Sequence, residues 1–222
     1  MIDWTWLGGH LDAIAFRTWQ HVYLAVLAVA IGFAISFVLA LVAARYRILY
    51  PPISALAGFL FTIPSLALFA ALISITGFSV VTAVVPLVMY TLVILIRNIV
   101  AGLDGVPTDV VEAADGMGLS RRQRLWRVEL PLALPLIVAG LRLATVSTIG
   151  LVTITGTISD AFGGLGYFIL DGYHRGNFLT EMYAGAVPSI LLALGADFLF
   201  VRLQRRITPW TRARAGEVGA AA

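Results

Sequence analysis

The chain has 222 residues, 60% of them hydrophobic and only 12% charged, with a formal net charge of +3 and a mean hydropathy of +0.94. A soluble domain carries about a quarter charged residues, so this is an integral membrane protein. All 15 basic residues are arginines and cysteine is absent, which excludes a P-loop with its required lysine, disulfides, thiolate nucleophiles and Cys-ligated metals.

Residues 1–20 are moderately amphipathic and carry Trp4, Trp6 and Trp19. Such rings collect at the membrane–water boundary, and the segment is expected to lie in the outer interface. A bilayer core takes roughly 20 apolar residues in a helix, and five stretches qualify: about residues 21–44, 53–76, 80–103, 135–157 and 183–201. The first is too long for the apolar core of a signal peptide and lacks a basic run before it, so it reads as an uncleaved span. Pro64, in "TIPSLAL", has no N–H to donate and is expected to kink or break the second span.

The arginines order these spans. Arg45 and Arg47 follow the first; Arg97, Arg121, Arg122, Arg124 and Arg127 end or follow the third; Arg202, Arg205, Arg206, Arg212 and Arg214 follow the fifth. The connections after the second and fourth spans carry no such excess. Because short basic loops stay in the cytoplasm, the N-terminus is expected outside and the C-terminus inside. Arginines placed in loops between apolar spans also argue against a nucleic-acid partner.

The basic loop "VEAADGMGLSRRQRLWRVELPLALP" resolves by local rules into helix, glycine turn and helix. Asp109 and Glu112 have the spacing of a capping pair, and Gly116 and Gly118 are expected to stop the first helix. Ser120 and Gln123 fit a capping box, with the second helix expected to run to Pro131. A helix of about eight residues is marginal in water, so the loop needs a surface to pack on. Ala113, Ala114 and Gly118 offer small residues for close docking, while Leu119, Leu125, Trp126, Val128 and Leu130 give the second helix an apolar side.

Here the chain resembles a known family. Glu112, Ala113 and Ala114, then three residues, Gly118, nine residues and Val128-Glu129-Leu130-Pro131 match the cytoplasmic pattern of permease subunits of bacterial binding-protein-dependent ABC importers. The only departure is Val128 where the pattern has isoleucine. Further stretches within residues 61–177, among them "YTLVILIRNIVAGL" and "FGGLGYFILDGYHRGN", resemble the osmoprotectant branch, whose substrates are quaternary amines such as glycine betaine, choline and carnitine.

The resemblance implies a multi-pass protein of the bacterial cytoplasmic (inner) membrane: an all-α bundle of about five spans, or six if the interfacial segment or the broken second span is scored separately. It divides the chain into an interfacial segment (1–20), a permease domain (21–207) with a coupling loop (104–134) and an outward-facing connection (158–182), and a cytoplasmic tail (208–222). Glu112, Ala113, Ala114, Asp115, Gly118, Leu119, Arg121, Leu130 and Pro131 are implied to couple to the ATPase. For Arg121, Arg122 and Arg124, topology and lipid headgroups explain the charges as well as ATPase contacts do. Phe162, Gly163, Gly164 and Gly166 are implied at the docking place of the solute-binding protein. The implied partners are an ATPase dimer, which would bind ATP and Mg, a second permease subunit (the same chain or a paralogue), an extracytoplasmic solute-binding protein and the lipid bilayer. The chain itself is expected to be no enzyme and to hold no cofactor.

Within the spans, Thr62, Pro64 and Ser65 read either as a tolerated kink or as pathway lining. Ser147, Thr148, Thr153 and Thr157 read either as glue between helices or as a neutral polar lining. Arg97 and Arg142 are expected to snorkel, and Asp197 to snorkel or pair, unless it serves a function. His174, beside Asp171 and Arg175, has no second histidine at ligand spacing, and no metal site is expected. An aromatic cage for a quaternary amine is expected on the binding protein. Competing readings are an importer of another small solute such as an amino acid, or an ATP-independent carrier or channel, which internal repeats would favour. A membrane-embedded enzyme is disfavoured, since the serines have no His, Lys or Cys partner within the spans.

Overall fold

A computed structural model describes residues 2–156 and 162–208. The described residues form helices joined by short connections: α1 (Trp4–Gly9), α2 (Leu11–Arg45), α3 (Tyr50–Thr62), α4 (Ser65–Thr76), α5 (Val80–Asp104), α6 (Thr108–Gly116), α7 (Arg121–Arg124), α8 (Leu130–Thr155), α9 (Gly166–His174) and α10 (Leu179–Ile207). A 3-10 turn precedes α3, and a π turn at Leu125–Glu129 joins α7 to α8.

Four helical stretches are long and apolar enough to cross a membrane among the described residues; the bent pair α3–α4 makes a fifth span if counted as one. Five spans is the number expected, but several boundaries differ from the sequence reading: the helix of the fifth span runs from Leu179 to Ile207, beyond the expected 183–201 at both ends. The first span is the upper part of a 35-residue helix that already starts at Leu11. The fourth begins before Pro135, which lies inside α8.

Central in the bundle stands α5, with residues buried along its whole length. It packs against α2 on one side and α8 on the other, with α3 and α4 also against it. Helices in lipid approach through small side chains, because lipid tails offer no hydrophobic contrast. Ala40, Ala43, Ala57, Ala133 and Ala144 accordingly pack with Leu95, Ile96, Ile99 and Val100 in one core cluster. At Gly32 on α2, a side chain would collide with the Thr91 hydroxyl of α5. A second cluster, with Leu24, Ala28, Phe69, Leu87 and Val152, fills the other end. α10 lies on α8 and α9 and leaves Val187, Ile190, Leu191, Leu194, Phe198 and Leu199 exposed on its outer side.

The expected break at Pro64 is a bend of 90° between α3 and α4. Its chemistry is local: the residue before a proline is pushed out of the helical region, and Ile63 is extended at φ −68°, ψ 125°. The Ile63 carbonyl, deprived of a helical donor, accepts from the Tyr90 hydroxyl of α5. Phe61 meets the same ring edge-on at 5.4 Å. At the coupling-loop end, Arg47 holds Asp104 with two bonds, at 2.5 and 2.8 Å, and so joins the α2–α3 junction to the end of α5.

Candidate coupling loop and translocation pathway

The loop after α5 folds as helix, turn and helix. α6 starts at Thr108 with Pro107 at its N-cap and no side-chain cap. The expected Asp109–Glu112 capping pair therefore does not form. Asp109 instead sits within the first turn, where its charge favours the positive end of the helix dipole. At the other end, Gly116 remains helical and Gly118 alone is the stop, at φ +77°. The Leu119 amide donates to the Ala114 carbonyl (3.2 Å) and the Gly118 amide to the Asp115 carbonyl (2.9 Å). These two bonds are the Schellman closure, which needs a left-handed residue at its centre. Only glycine adopts that conformation without strain.

The capping box at Ser120 forms as expected: the Gln123 amide donates to the Ser120 hydroxyl, and the Ser120 amide donates to the Gln123 side chain at 2.8 Å. Replacing Ser120 with alanine removes one of these bonds, which are worth about 1 kcal/mol together with the local helix start. Hydrogen exchange of the Gln123 amide should then speed up about fivefold.

The second helix does not end at Pro131. It passes through the π turn directly into α8. A proline ring clashes with the carbonyl four residues back in an α-helix, and here that carbonyl belongs to Arg127, inside the wider π turn. The same turn brings Glu129, five residues on, to Arg124: Nε donates to its carboxylate at 2.6 Å. Nη1 of Arg124 also donates to both Asp115 oxygens, at 2.5 and 2.6 Å. Arg124 thereby clamps the end of α6 to the base of α8. No local spacing rule points to this residue, because the Asp115 partner is tertiary.

Of the small residues expected to face a partner, Ala114 is 1% exposed and turned inward, which leaves Glu112, Ala113, Gly116 and Gly118 on the outer side. Met117, 74% exposed, stands at the tip of that side. Leu125 and Leu130 pack into the core cluster, and Leu119 is half-buried. Trp126 is exposed beside Phe37 of α2. Arg121 lies exposed at the start of α7, and half-buried Pro131 at the start of α8.

Among the pathway candidates, Ser147 and Thr148 line a cavity of about 220 Å³ together with Phe61, Tyr90, Thr91, Ile94 and Leu151. Thr62 and Pro64 stand exposed at the adjoining break, with the Thr62 hydroxyl bonded back to Phe59 (2.7 Å), and Ser65 begins α4. Thr153 does not join the cavity: its hydroxyl returns to the Gly150 carbonyl. Thr157 lies outside the described residues. Tyr90 and Phe61 are the residues that sequence reasoning passed over. A tyrosine facing a proline break across the bundle is a contact that helical periodicity cannot reveal.

In the connection between α8 and α10, Gly163, Gly164 and Gly166 are buried and Phe162 half-buried. Gln20 accepts from the Gly164 amide at 3.0 Å, and His21 Nδ1 accepts from the Leu165 amide at 3.3 Å. With Nδ1 as acceptor, His21 Nε2 carries the proton and donates to the Ile149 carbonyl at 2.9 Å. These glycines therefore shape the connection against α2 and α8, and it is the exposed residues around them that can meet another protein. Asp171 and Arg175 pair at 2.9 Å, and no metal-binding group of three His, Asp or Glu side chains occurs among the described residues.

Arg142 has a carboxylate partner. Its Nε and Nη2 donate to the two carboxylate oxygens of Asp197, the latter at 2.9 Å, and the pair joins α8 to α10. Arg97 remains exposed on α5, close to Gly58 of α3.

The family profile described as "Binding-protein-dependent transport system inner membrane component" matches residues 32–209. The osmoprotectant import permease OsmW of Salmonella typhimurium is 38% identical over 88% of this chain and 92% of its own length. The choline transport system permease OpuBD of Bacillus subtilis is 38% identical over 78% of this chain and 76% of its own. In three dimensions the chain superposes on a chain of the MetNI methionine ABC transporter in an inward-facing conformation, with TM-score 0.78 and 24% identity, over 90% of this chain and 98% of that one. The Glu112–Pro131 pattern, the bundle and these matches agree: the chain belongs to the family of inner-membrane permease components of binding-protein-dependent ABC transporters.

Proposed function

We propose that this chain forms one half of the translocation pathway of an osmoprotectant importer, carrying a quaternary amine such as glycine betaine, choline or carnitine. A separate ATPase pair, binding ATP and Mg, drives it, and an extracytoplasmic binding protein delivers the solute. The observation that carries this reading is α6: a short helix held out from the bundle, with Glu112, Ala113 and Met117 exposed and its end clamped by Arg124. A lever must be both exposed to its partner and rigidly joined to the spans, and this one is both. The arginine distribution supports a cytoplasmic side for α6, hence an N-out, C-in chain. A single bundle offers one such helix, so a second permease, the same chain or a paralogue, completes the pair.

The substrate class rests on the names of the relatives and on the neutral character of the Phe61–Tyr90 cavity. A lining of rings and hydroxyls holds a permanent cation weakly, through ring faces, and lets it pass. ATP binding would draw the two α6 helices together and turn the bundles outward; hydrolysis would return them.

The test is uptake in cells stripped of their own osmoprotectant transporters and given this chain with its partner subunits. Labelled glycine betaine, choline or carnitine should enter in preference to methionine. Uptake of methionine alone would reassign the substrate while leaving the permease role in place. In the same cells, Tyr90→Ala should lower quaternary-amine uptake more than Thr153→Ala, whose hydroxyl lies off the cavity; equal effects would remove the cavity from the pathway.

A further inference from the structure

At the coupling-loop end of the bundle, a cleft of about 750 Å³ opens between the end of α2 and the start of α7. Its charged lining is unbalanced. Arg124 uses both lining carboxylates, Asp115 and Glu129. Arg45, Arg121 and Arg122 line the same cleft and, among the described residues, are held by no carboxylate. Arg45 stands over the Tyr46 ring at 5.3 Å. Three guanidinium groups from two separate elements thus face one space, and the planar fork of each suits a phosphate.

The floor of this cleft is apolar, with Leu41, Ala44 and Leu125. Trp126 and Tyr46, each 56% exposed, are the chain neighbours of Leu125 and Arg45 in its lining, and such amphipathic rings sit at the headgroup level of a bilayer. Val38 and Val42, one turn apart on α2 before Arg45, are exposed apolar side chains. An arginine-lined mouth with exposed apolar side chains on the same helix has the profile of a phospholipid, with phosphate at the mouth and an acyl chain along the helix.

We propose that Arg45, Arg121 and Arg122 bind the phosphate of an anionic glycerophospholipid from the leaflet on the coupling-loop side. Such a headgroup bridges α2 to α7 and braces the coupling loop against the bundle. Arg121 also belongs to the set of residues implied to couple, so the test varies only Arg45 and Arg122, which lie outside that set, and its failure and that of the importer reading can be told apart.

The full-length chain, with Trp4, Trp6, Trp19 and Trp210 changed to phenylalanine, leaves Trp126 as the only indole beside the cleft. In bilayers doped with brominated phosphatidylglycerol, Trp126 should be quenched at about a tenfold lower mole fraction than with brominated phosphatidylcholine. Arg45→Gln with Arg122→Gln should abolish that preference, and Arg45→Lys with Arg122→Lys should keep part of it, which separates lost charge from a lost fold. Equal quenching by the two lipids in the parent would overturn the proposal. Displacement of the brominated lipid by inorganic phosphate would assign the arginines to a soluble anion and overturn the lipid. Displacement by the partner ATPase would assign them to a protein contact, with the same result.

Discussion

Asp197→Leu should lower the stability of the bundle, read as a loss of melting temperature in detergent, and adding Arg142→Leu should restore most of it. The single variant leaves Arg142 on α8 without the carboxylate that accepts from both its Nε and its Nη2. Arg142 lies within the long apolar helix Leu130–Thr155, three turns and a little more from its start. A charge left inside an apolar span without its partner is unfavourable, and removing one member of an ion pair there costs more than removing both. The side chains here are 39% and 36% exposed at the bundle surface, so the loss is smaller than for a fully buried pair. A pair replaced whole by leucines leaves no orphan charge, and such replacements are often neutral. If the double variant is no more stable than the single one, the pair is not what holds Arg142, and another role for Asp197 has to be sought.

Gly166→Ala should be more damaging than its single methyl implies. A Cβ at this position would stand 2.7 Å from the Thr153 carbonyl carbon and 3.0 Å from its Cα, while overlapping the carbonyl oxygen. Those atoms are backbone of α8 and cannot turn aside as a side chain would. The added methyl must push α9 off α8, and overpacking of this kind costs about 1–3 kcal/mol or more. Since Leu165 and Gly164 also bond to His21 and Gln20, the shift breaks that latch as well. The expected result is a poorly folding chain with faster proteolysis in the connection. Gly176→Ala is the control: although Gly176 has φ +75°, nothing lies within 4 Å of a Cβ there, so only backbone strain of about 1 kcal/mol applies. Similar behaviour of the two variants would show that the α8–α9 contact is looser than the structure has it.

The spans were legible because twenty-residue apolar runs have few other uses, and Pro64 announced its own break by chemistry alone. The Ser120–Gln123 capping box was legible for the same reason: both partners lie within one turn. The Asp109–Glu112 cap failed because Pro107 already stood at the helix start. Pro131 failed as a stop because a π turn absorbed its ring. What stayed hidden is tertiary. Arg124 to Asp115, Arg142 to Asp197 and Tyr90 to the Ile63 carbonyl join elements whose mutual placement no period in the sequence encodes. The buried state of Gly163, Gly164 and Gly166 was hidden likewise, since a glycine needed for close approach and one needed in an exposed turn look the same in a row of letters.

The coupling role of α6 is the claim on which the mechanism stands. The direct measurement is purification of the tagged chain from native membranes, with and without Ala113→Trp, followed by identification of the partner chains. Ala113 is exposed on the outer side of α6, so a tryptophan there disturbs no packing within this chain but fills the space a docked partner needs. The parent should bring down an ATPase, and the variant should lose it while melting at the same temperature. An ATPase retained in full by the correctly folded variant would contradict docking through α6, and a parent that brings down no ATPase would contradict the coupling role altogether.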